Sequence, residues 1–489
     1  MTQTELIVKF KTNQKRMETD NSLKAIRLFN TASRKIESFI PLNQKEVGLY
    51  ACGPTVYNYA HIGNMRTYVF EDILRRTLEY HGYKVKHVMN ITDVGHLQSD
   101  ADQGDDKMML ASKREKKSPW EIARFYEDEF FRHSKMLNIK RPEIICRATE
   151  HIPEMIRMIE VLIEKGFGYI NDGNVYFDVS KFNHYSKFAG LVTEDQIQNN
   201  RVENDLRKRN QADFVLWFSQ SKFPNQIMKW SSPWGIGFPG WHIECSAMAS
   251  KYVGERIDIH CGGIDHIRVH HTNEIAQSEC CFGHKWVNYW LHGEFLNVEN
   301  GKMSKSKGDT LTVDTLVRDG FNPLHYRYLL LTSHYKSELK FSYKSLTTAK
   351  FTLENLQERV QEWKHKEVQK KLEITDNVKK IKDQFWDSIR QDLHTPKALA
   401  LAWDVVRSHD LNASEKLSLF DSFDQVFELD LTSGRQINLT AEQKRLIKYR
   451  EEARLNKNWA ESDKIRKILL SQGIQLKDSK DGTTWSKCP

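Results

Sequence analysis

Apolar positions in the first third of the chain change period in a fixed order. Residues 45–50 close on the apolar pair Leu49 and Tyr50 before Gly53-Pro54 breaks the run, the pattern of a strand entering a loop. Val69, Phe70, Ile73, Leu74 and Leu78 then recur at helical spacing until Gly82. Residues 84–91 alternate again as a second strand. That order predicts a βαβ unit of a parallel sheet, whose ligands sit at the carboxyl ends of the strands. Farther on, Ser118-Pro119-Trp120-Glu121 joins a capping residue, a proline at the first helical position and a glutamate three after the cap. A helix therefore starts there, with Ile122, Phe125, Tyr126 and Phe130 on its apolar side. Another helical run covers residues 152–163 and stops at Gly166 and Gly168.

From 171 to 238 the helical period gives way to short alternating pieces with interspersed aromatic and proline residues, which reads as an insertion. Strand-like segments at 257–260 and 287–291 resume the sheet, so a nucleotide-binding α/β domain split in two is expected. Beyond Tyr343 the pattern becomes long, charge-rich helices such as 351–371, and the lysines of 364–382 read as a solvated helix face. Residues 443–489 read as a separate unit of two helices and a short hairpin.

Composition narrows the class. With 489 residues and 39% hydrophobic content the chain exceeds one core and should form several domains. No apolar run approaches the roughly 20 residues of a membrane helix, and the polar first twenty residues lack the apolar centre of a signal peptide, so a cytoplasmic protein is expected. Seven cysteines (52, 146, 245, 261, 280, 281 and 488) lack the dense even spacing of a disulfide framework and suit free thiols or metal ligands. A net charge of +8 permits a polyanionic partner without demanding one.

Two motifs carry nucleotide chemistry. His61-Ile62-Gly63-Asn64 sits where the first loop enters its helix. There the glycine admits a close phosphate, the helix amino end offers free N–H groups and the imidazole adds a donor. Alone, this would be an ordinary capping histidine. Lys302-Met303-Ser304-Lys305-Ser306 places two lysines three apart in a glycine-flanked loop, able to neutralise charge on a leaving pyrophosphate. In this order, on either side of a split sheet, the pair resembles the signature of class I aminoacyl-tRNA synthetases. The resemblance implies a Rossmann-type catalytic domain interrupted by a connective insertion and followed by helical tRNA-binding domains. It implies catalytic roles for His61, Asn64, Lys302 and Lys305, and ATP binding with Mg2+ by these residues together with Gly63 and Asp265. Asp265, after Gly262-Gly263-Ile264, would lie by the ribose. Asn64 departs from the family, which often has a second histidine there.

Cys52, Cys245, His270 and Glu274 form the third constellation. The last two are four apart and share a helix face, so they can share one ion, which two distant cysteines could complete. Isolated buried cysteines are more often apolar filler. The blocks 50–64, 240–248 and 270–278, however, resemble the cysteinyl-tRNA synthetase family, and the likeness extends over nearly all of the chain after Asp20. The family implies one zinc ion on these four residues at the floor of an amino-acid pocket lined by Thr92 and Trp241. It further implies anticodon contacts from Arg454, Trp459, Asp463 and Asp478, a monomeric enzyme, and L-cysteine, ATP and tRNA(Cys) as partners. Cys261, His266, Arg268 and Thr272 stand where relatives have glycine, leucine, phenylalanine and glutamate, and Cys261 and His271 rank as neighbours of the metal rather than ligands.

On this reading the chain divides into a polar extension (1–20), the first half of the catalytic domain (21–170) and the insertion (171–238). The second half (239–300), the lysine loop and stem-contact region (301–343), a helical bundle (344–436) and an anticodon-binding domain (437–489) follow. Two alternatives stay open: a ligase that hands cysteinyl adenylate to an amino sugar, whose known relatives lack such a tail, and a catalytically silent tRNA-binding paralogue.

Overall fold

The computed structural model describes residues 25–489 apart from 95–96, 100–102, 191–205, 220–226, 299–309, 367–374, 433–439, 473, 480–481 and 488–489. Its centre is a five-stranded, wholly parallel sheet. The first strand, β1 (Glu46–Ala51), leads into α1 (Ile62–Tyr80) and β2 (Lys84–Ile91), the βαβ unit that the periodicity predicts. Next come α2 (Pro119–Met136), capped by the Ser118–Glu121 box, and β3 (Ile144–Arg147), an edge strand whose four residues are too few to show a period. After α3 (Ile152–Glu164) the chain leaves the sheet. It builds β4 (Gly168–Asn171), β5 (Asn174–Phe177), β6 (Phe214–Phe218) and β7 (Phe238–Pro239) into a separate antiparallel sheet. The first of these strands begins ahead of the expected insertion, because Gly166 and Gly168 both break α3 and start the new sheet.

The main sheet resumes with α4 (Trp241–Tyr252), β8 (Ile257–Gly263), α5 (His270–Phe282) and β9 (Val287–Gly293). Its spatial order is β9, β8, β1, β2, β3. The chain therefore reverses direction of growth between β1 and β8, and this switch point opens a crevice at the carboxyl ends of those two strands. Gly53 allows β1 to end there: a Cβ at that position would lie 1.7 Å from the Asn90 carbonyl oxygen on β2.

Two short parallel strands, β10 (Leu296–Val298) and β11 (Leu339–Phe341), flank α6 (Val313–Arg318) and α7 (Pro323–Leu331). Four helices follow: α8 (Tyr343–Lys366), α9 (Asp376–Arg390), α10 (Thr395–Arg407) and α11 (Ala413–Phe427). Of these, α9 and α11 pack against α1, through Trp386 and Ser422 on Tyr80, so that helix is buried on its polar side too. Arg327 of α7 is fully buried and bonds Asp72 of α1 at 2.6 Å, while Arg76 meets the same carboxylate at 2.8 Å. Such a pair survives burial because the backbone carbonyls of Phe427, Leu137 and Asn138 and the Glu428 carboxylate take the other guanidinium nitrogens. The tail forms α12 (Ala441–Leu455), α13 (Trp459–Ser471) and the hairpin β12 (Ile474–Ser479) and β13 (Gly482–Lys487) around its own core of Ile447, Ile465, Leu469, Ile474 and Leu476. Among the described residues no helix is long and apolar enough to cross a membrane.

Candidate active site

His61 stands at the amino end of α1, inside the switch-point crevice. Its Nδ1 accepts the Asn64 backbone N–H at 3.0 Å, and the Asn64 side-chain oxygen accepts the His61 N–H at 3.1 Å, a reciprocal cap. The cap assigns the imidazole proton to Nε2, which is left to donate, and it leaves the Asn64 amide NH2 free in solvent. Burial lowers the His61 pKa while Asp265 acts against it, so these two expected nucleotide residues share one electrostatic neighbourhood. The residue after His61 fixes the first turn of α1 to the rest of the fold. Ile62 donates its N–H to the Leu311 carbonyl at 2.9 Å, and its own carbonyl accepts from the Tyr326 hydroxyl at 2.7 Å. Lys302 and Lys305 lie outside the described residues.

Beside this crevice, Cys52 follows β1, Cys245 lies on the second turn of α4, and His270 opens α5. Donor atoms of Cys52, His270, His271 and Glu274 all fall within 4.8 Å of one another, and all four residues are buried. Cys245 is not in that tightest set, although its titration is bound up with Cys52 and His270. Glu274 holds two histidines, His270 Nε2 at 2.6 Å and His260 Nε2 at 2.7 Å. Burial by itself would raise the Glu274 pKa, but His270 and His260 bring it down to about 2. In the same way burial would depress His270, and Glu274 and Cys245 instead lift it to about 10. At Cys52 burial pushes the thiol well up, whereas at Cys245 burial is outweighed by the contacts from Cys52 and His270 and the pKa falls to about 6.

His271 behaves differently from His270. Burial, reinforced by His260 and His292, pushes its pKa well below the ordinary value, so it is neutral. Its Nε2 is 3.3 Å from Cys52 Sγ and its Nδ1 is 2.8 Å from His292 Nε2, which relays to the Thr31 hydroxyl at 2.8 Å through Nδ1. The sequence places His271 beside the metal; the structure brings its donor into the cluster itself. The i,i+4 rule missed it because α5 is buried on almost every side at its start, so adjacent residues both face protein. His260 was missed as well, since a histidine within an apolar strand gives no signal of what it opposes. Cys261, Cys280 and Cys281 are buried free thiols outside the cluster. A buried set of sulfur, imidazole and carboxylate donors at this spacing is compatible with a metal site.

The two residues expected to line an amino-acid pocket lie beside the cluster, Trp241 directly and Thr92 through Glu244. Trp241 stacks on His270 with centroids 4.0 Å apart and planes at 5°. Thr92 donates its hydroxyl to Glu244 at 3.0 Å, and Glu244, which sequence reasoning passed over, is fully buried one residue before Cys245. A second group of possible donors, Glu129, His133 and Asp314, already contains its own cation: the Arg132 guanidinium bonds both carboxylates.

The four tail residues make a different kind of surface. Trp459 is 57% exposed, with the Arg454 guanidinium 5.8 Å from its ring centre. Asp478 accepts from Arg450 at 2.8 and 2.6 Å, from Arg454 at 2.8 Å and from the Thr483 hydroxyl at 3.0 Å. The carboxylate thus sits behind Arg454 and aims it at the tryptophan, while Asp463 is exposed on α13.

Comparison with known proteins follows this geometry. Residues 38–351 match the family described as tRNA synthetases class I (C) catalytic domain. A cysteine–tRNA ligase of Treponema denticola is 46% identical over 490 aligned residues, covering 95% of this chain and 100% of the relative. One from Burkholderia lata is 46% identical over 462 residues, covering 93% and 95%. Among solved structures, Mycobacterium tuberculosis methionyl-tRNA synthetase in complex with methionyl-adenylate is similar with a TM-score of 0.55 at 14% identity, covering 80% of this chain and 92% of that one, a likeness of fold.

Proposed function

Because the chain belongs to the cysteine–tRNA ligase family of class I aminoacyl-tRNA synthetases, we propose that it activates L-cysteine with ATP and transfers it to the 3′-terminal adenosine of tRNA(Cys). The observation that carries this reading is the buried convergence of Cys52, His270, His271 and Glu274, with Cys245 at its edge, beside the capped His61. In the first step the cysteine carboxylate attacks the α-phosphorus of ATP and pyrophosphate leaves. His61 donates through Nε2 to the phosphates, Gly63 admits them to the helix end, Asp265 accepts from the ribose and the free amide of Asn64 adds a donor. Lys302 and Lys305 neutralise the charge that grows on pyrophosphate, and Mg2+ accompanies ATP. In the second step a hydroxyl of the terminal adenosine attacks the adenylate carbonyl and AMP leaves.

Cys52, Cys245, His270 and Glu274 are the residues we assign to one zinc ion, with His271 packed on Cys52. Zinc held there would supply a Lewis acid that prefers a thiolate to a hydroxyl. Around it, Trp241 and Thr92 wall the pocket and exclude water. That donor preference can separate cysteine from serine where a shape-based pocket could not. Trp459, Arg454, Asp463 and Asp478 would recognise the unstacked anticodon. The division given above, with the insertion at 171–238 and the anticodon domain at 437–489, a monomeric state and a cytoplasmic location complete the proposal.

Cysteine-dependent pyrophosphate exchange, followed by charging of purified tRNA(Cys), tests the reading directly. Exchange without charging would favour the amino-sugar ligase, and neither activity would favour the silent binder. Lys305→Ala should lower exchange by about 10²–10³-fold with the melting temperature unchanged, because a donor directed at developing charge is worth about 2.7–4 kcal/mol. Near-normal exchange in that variant would remove Lys305 from the chemistry.

A further inference from the structure

Arg66 lies on α1 five residues after His61 and is 5% exposed. Its guanidinium donates only to backbone carbonyls: NH1 to Glu294 at 3.0 Å and to Phe295, NH2 to His334 at 3.3 Å and to Ser337. Among the described residues no carboxylate pairs with it. Glu294 and Phe295 join β9 to β10, and His334 and Ser337 lie between α7 and β11. One planar group therefore fastens the helix that presents His61 to the amino ends of both strands of the parallel pair. The two segments also bond each other, Glu294 N–H to the Tyr335 carbonyl at 2.8 Å and Leu339 N–H to the Phe295 carbonyl at 3.2 Å, so they move as one body. Only a guanidinium fits this place, because its fixed fork can serve four acceptors at once and an ammonium cannot.

We propose that Arg66 is a positioning residue for adenylate formation. It sets the distance between the first turn of α1 and the β10–β11 pair. In sequence, β10 ends at Val298, four residues ahead of Lys302. The first nucleotide motif, on the opening turn of α1, is thus held in register with the β10–β11 pair through one guanidinium. A displacement of about 1 Å far from the chemistry can cost about 10²-fold in rate. The amino-acid pocket is built on β1, α4 and α5 and does not use the clamp. This inference rests on the proposed ligase reaction.

The test compares Arg66→Lys and Arg66→Gly with the native enzyme in cysteine-dependent pyrophosphate exchange, with metal content and circular dichroism recorded at the assay temperature. Arg66→Lys keeps the charge and loses the fork, so its kcat should fall about 10–100-fold. The KM for cysteine and the bound metal should stay unchanged. Adding millimolar guanidinium to Arg66→Gly should restore part of the lost kcat, which a general loss of stability would not allow. Wild-type kcat in Arg66→Lys, or loss of metal and cysteine affinity in place of kcat, would overturn the positioning role. If Arg66→Gly does not fold, the Arg66→Lys kinetics decide alone. Absence of cysteine-dependent exchange in the native protein would instead refute the ligase reading.

Discussion

Glu274 in the donor cluster and Asp478 in the tail are both held at a pKa of about 2, from opposite surroundings. At Glu274 burial works against ionisation, and two histidines within 2.7 Å overcome it. At Asp478 the hydrogen bond from Arg450 leads and outweighs burial, and Thr483 and Arg454 add to it on a partly open surface. The first arrangement concentrates charge where water cannot screen it, which suits holding an ion. The second keeps charge and an exposed ring accessible, which suits reading a flexible polyanion. One carboxylate chemistry thus serves two purposes, and the depth at which it is placed separates them.

Removing a sulfur from the buried region should produce the largest effect. Cys52→Ser should lower metal affinity by more than the ~10–100-fold typical of an outer partner, and cysteine-over-serine selectivity should fall by up to about four orders of magnitude. Equilibrium dialysis with zinc and exchange with each amino acid measure these losses. Native metal affinity in the variant would show that Cys52 is not needed to hold the ion and would break the comparison.

A smaller effect is expected in the tail. Trp459→Ala should weaken tRNA charging by roughly 10-fold through KM for tRNA, the scale of one lost base stack at about 1–3 kcal/mol, while pyrophosphate exchange stays normal. Raised salt should weaken tRNA binding and leave metal retention almost untouched. Equal loss of both activities would place Trp459 in the core of the tail, which its exposure argues against.

The smallest effect concerns acid. Asp478 has a folded pKa below its ordinary value, so its stabilisation of the tail is present above about pH 4 and is lost as pH falls towards about 2. Its worth is at most about 1 kcal/mol, the scale of a surface ion pair. Acid titration of Trp459 fluorescence should show this step, and Asp478→Asn should lack it. An unchanged step in Asp478→Asn would assign the transition to other carboxylates.

Local physics was legible from the residues alone. The Ser118 cap, the α1 period and the limits of β2 follow from interactions within a few positions of each other, and the sequence holds all of those. The pairing of His270 with Glu274 is equally local, one turn of helix. Here the family resemblance added what spacing could not: it named Cys52, whose donor falls in the buried cluster, and Cys245, which lies outside that tightest set. Tertiary structure decided the remainder. Cys52 meets His271 because β1 and β8 are neighbours in the sheet although 206 residues separate Ala51 from Ile257. His260 reaches Glu274, and Arg66 finds four carbonyls, for the same reason: sheet order and crossover geometry bring remote segments together, and backbone carbonyls carry no side-chain identity to read. Burial was decided there too, and with it the charge state of every group in the cluster, since desolvation depends on what packs around a residue and not on what precedes it in the chain.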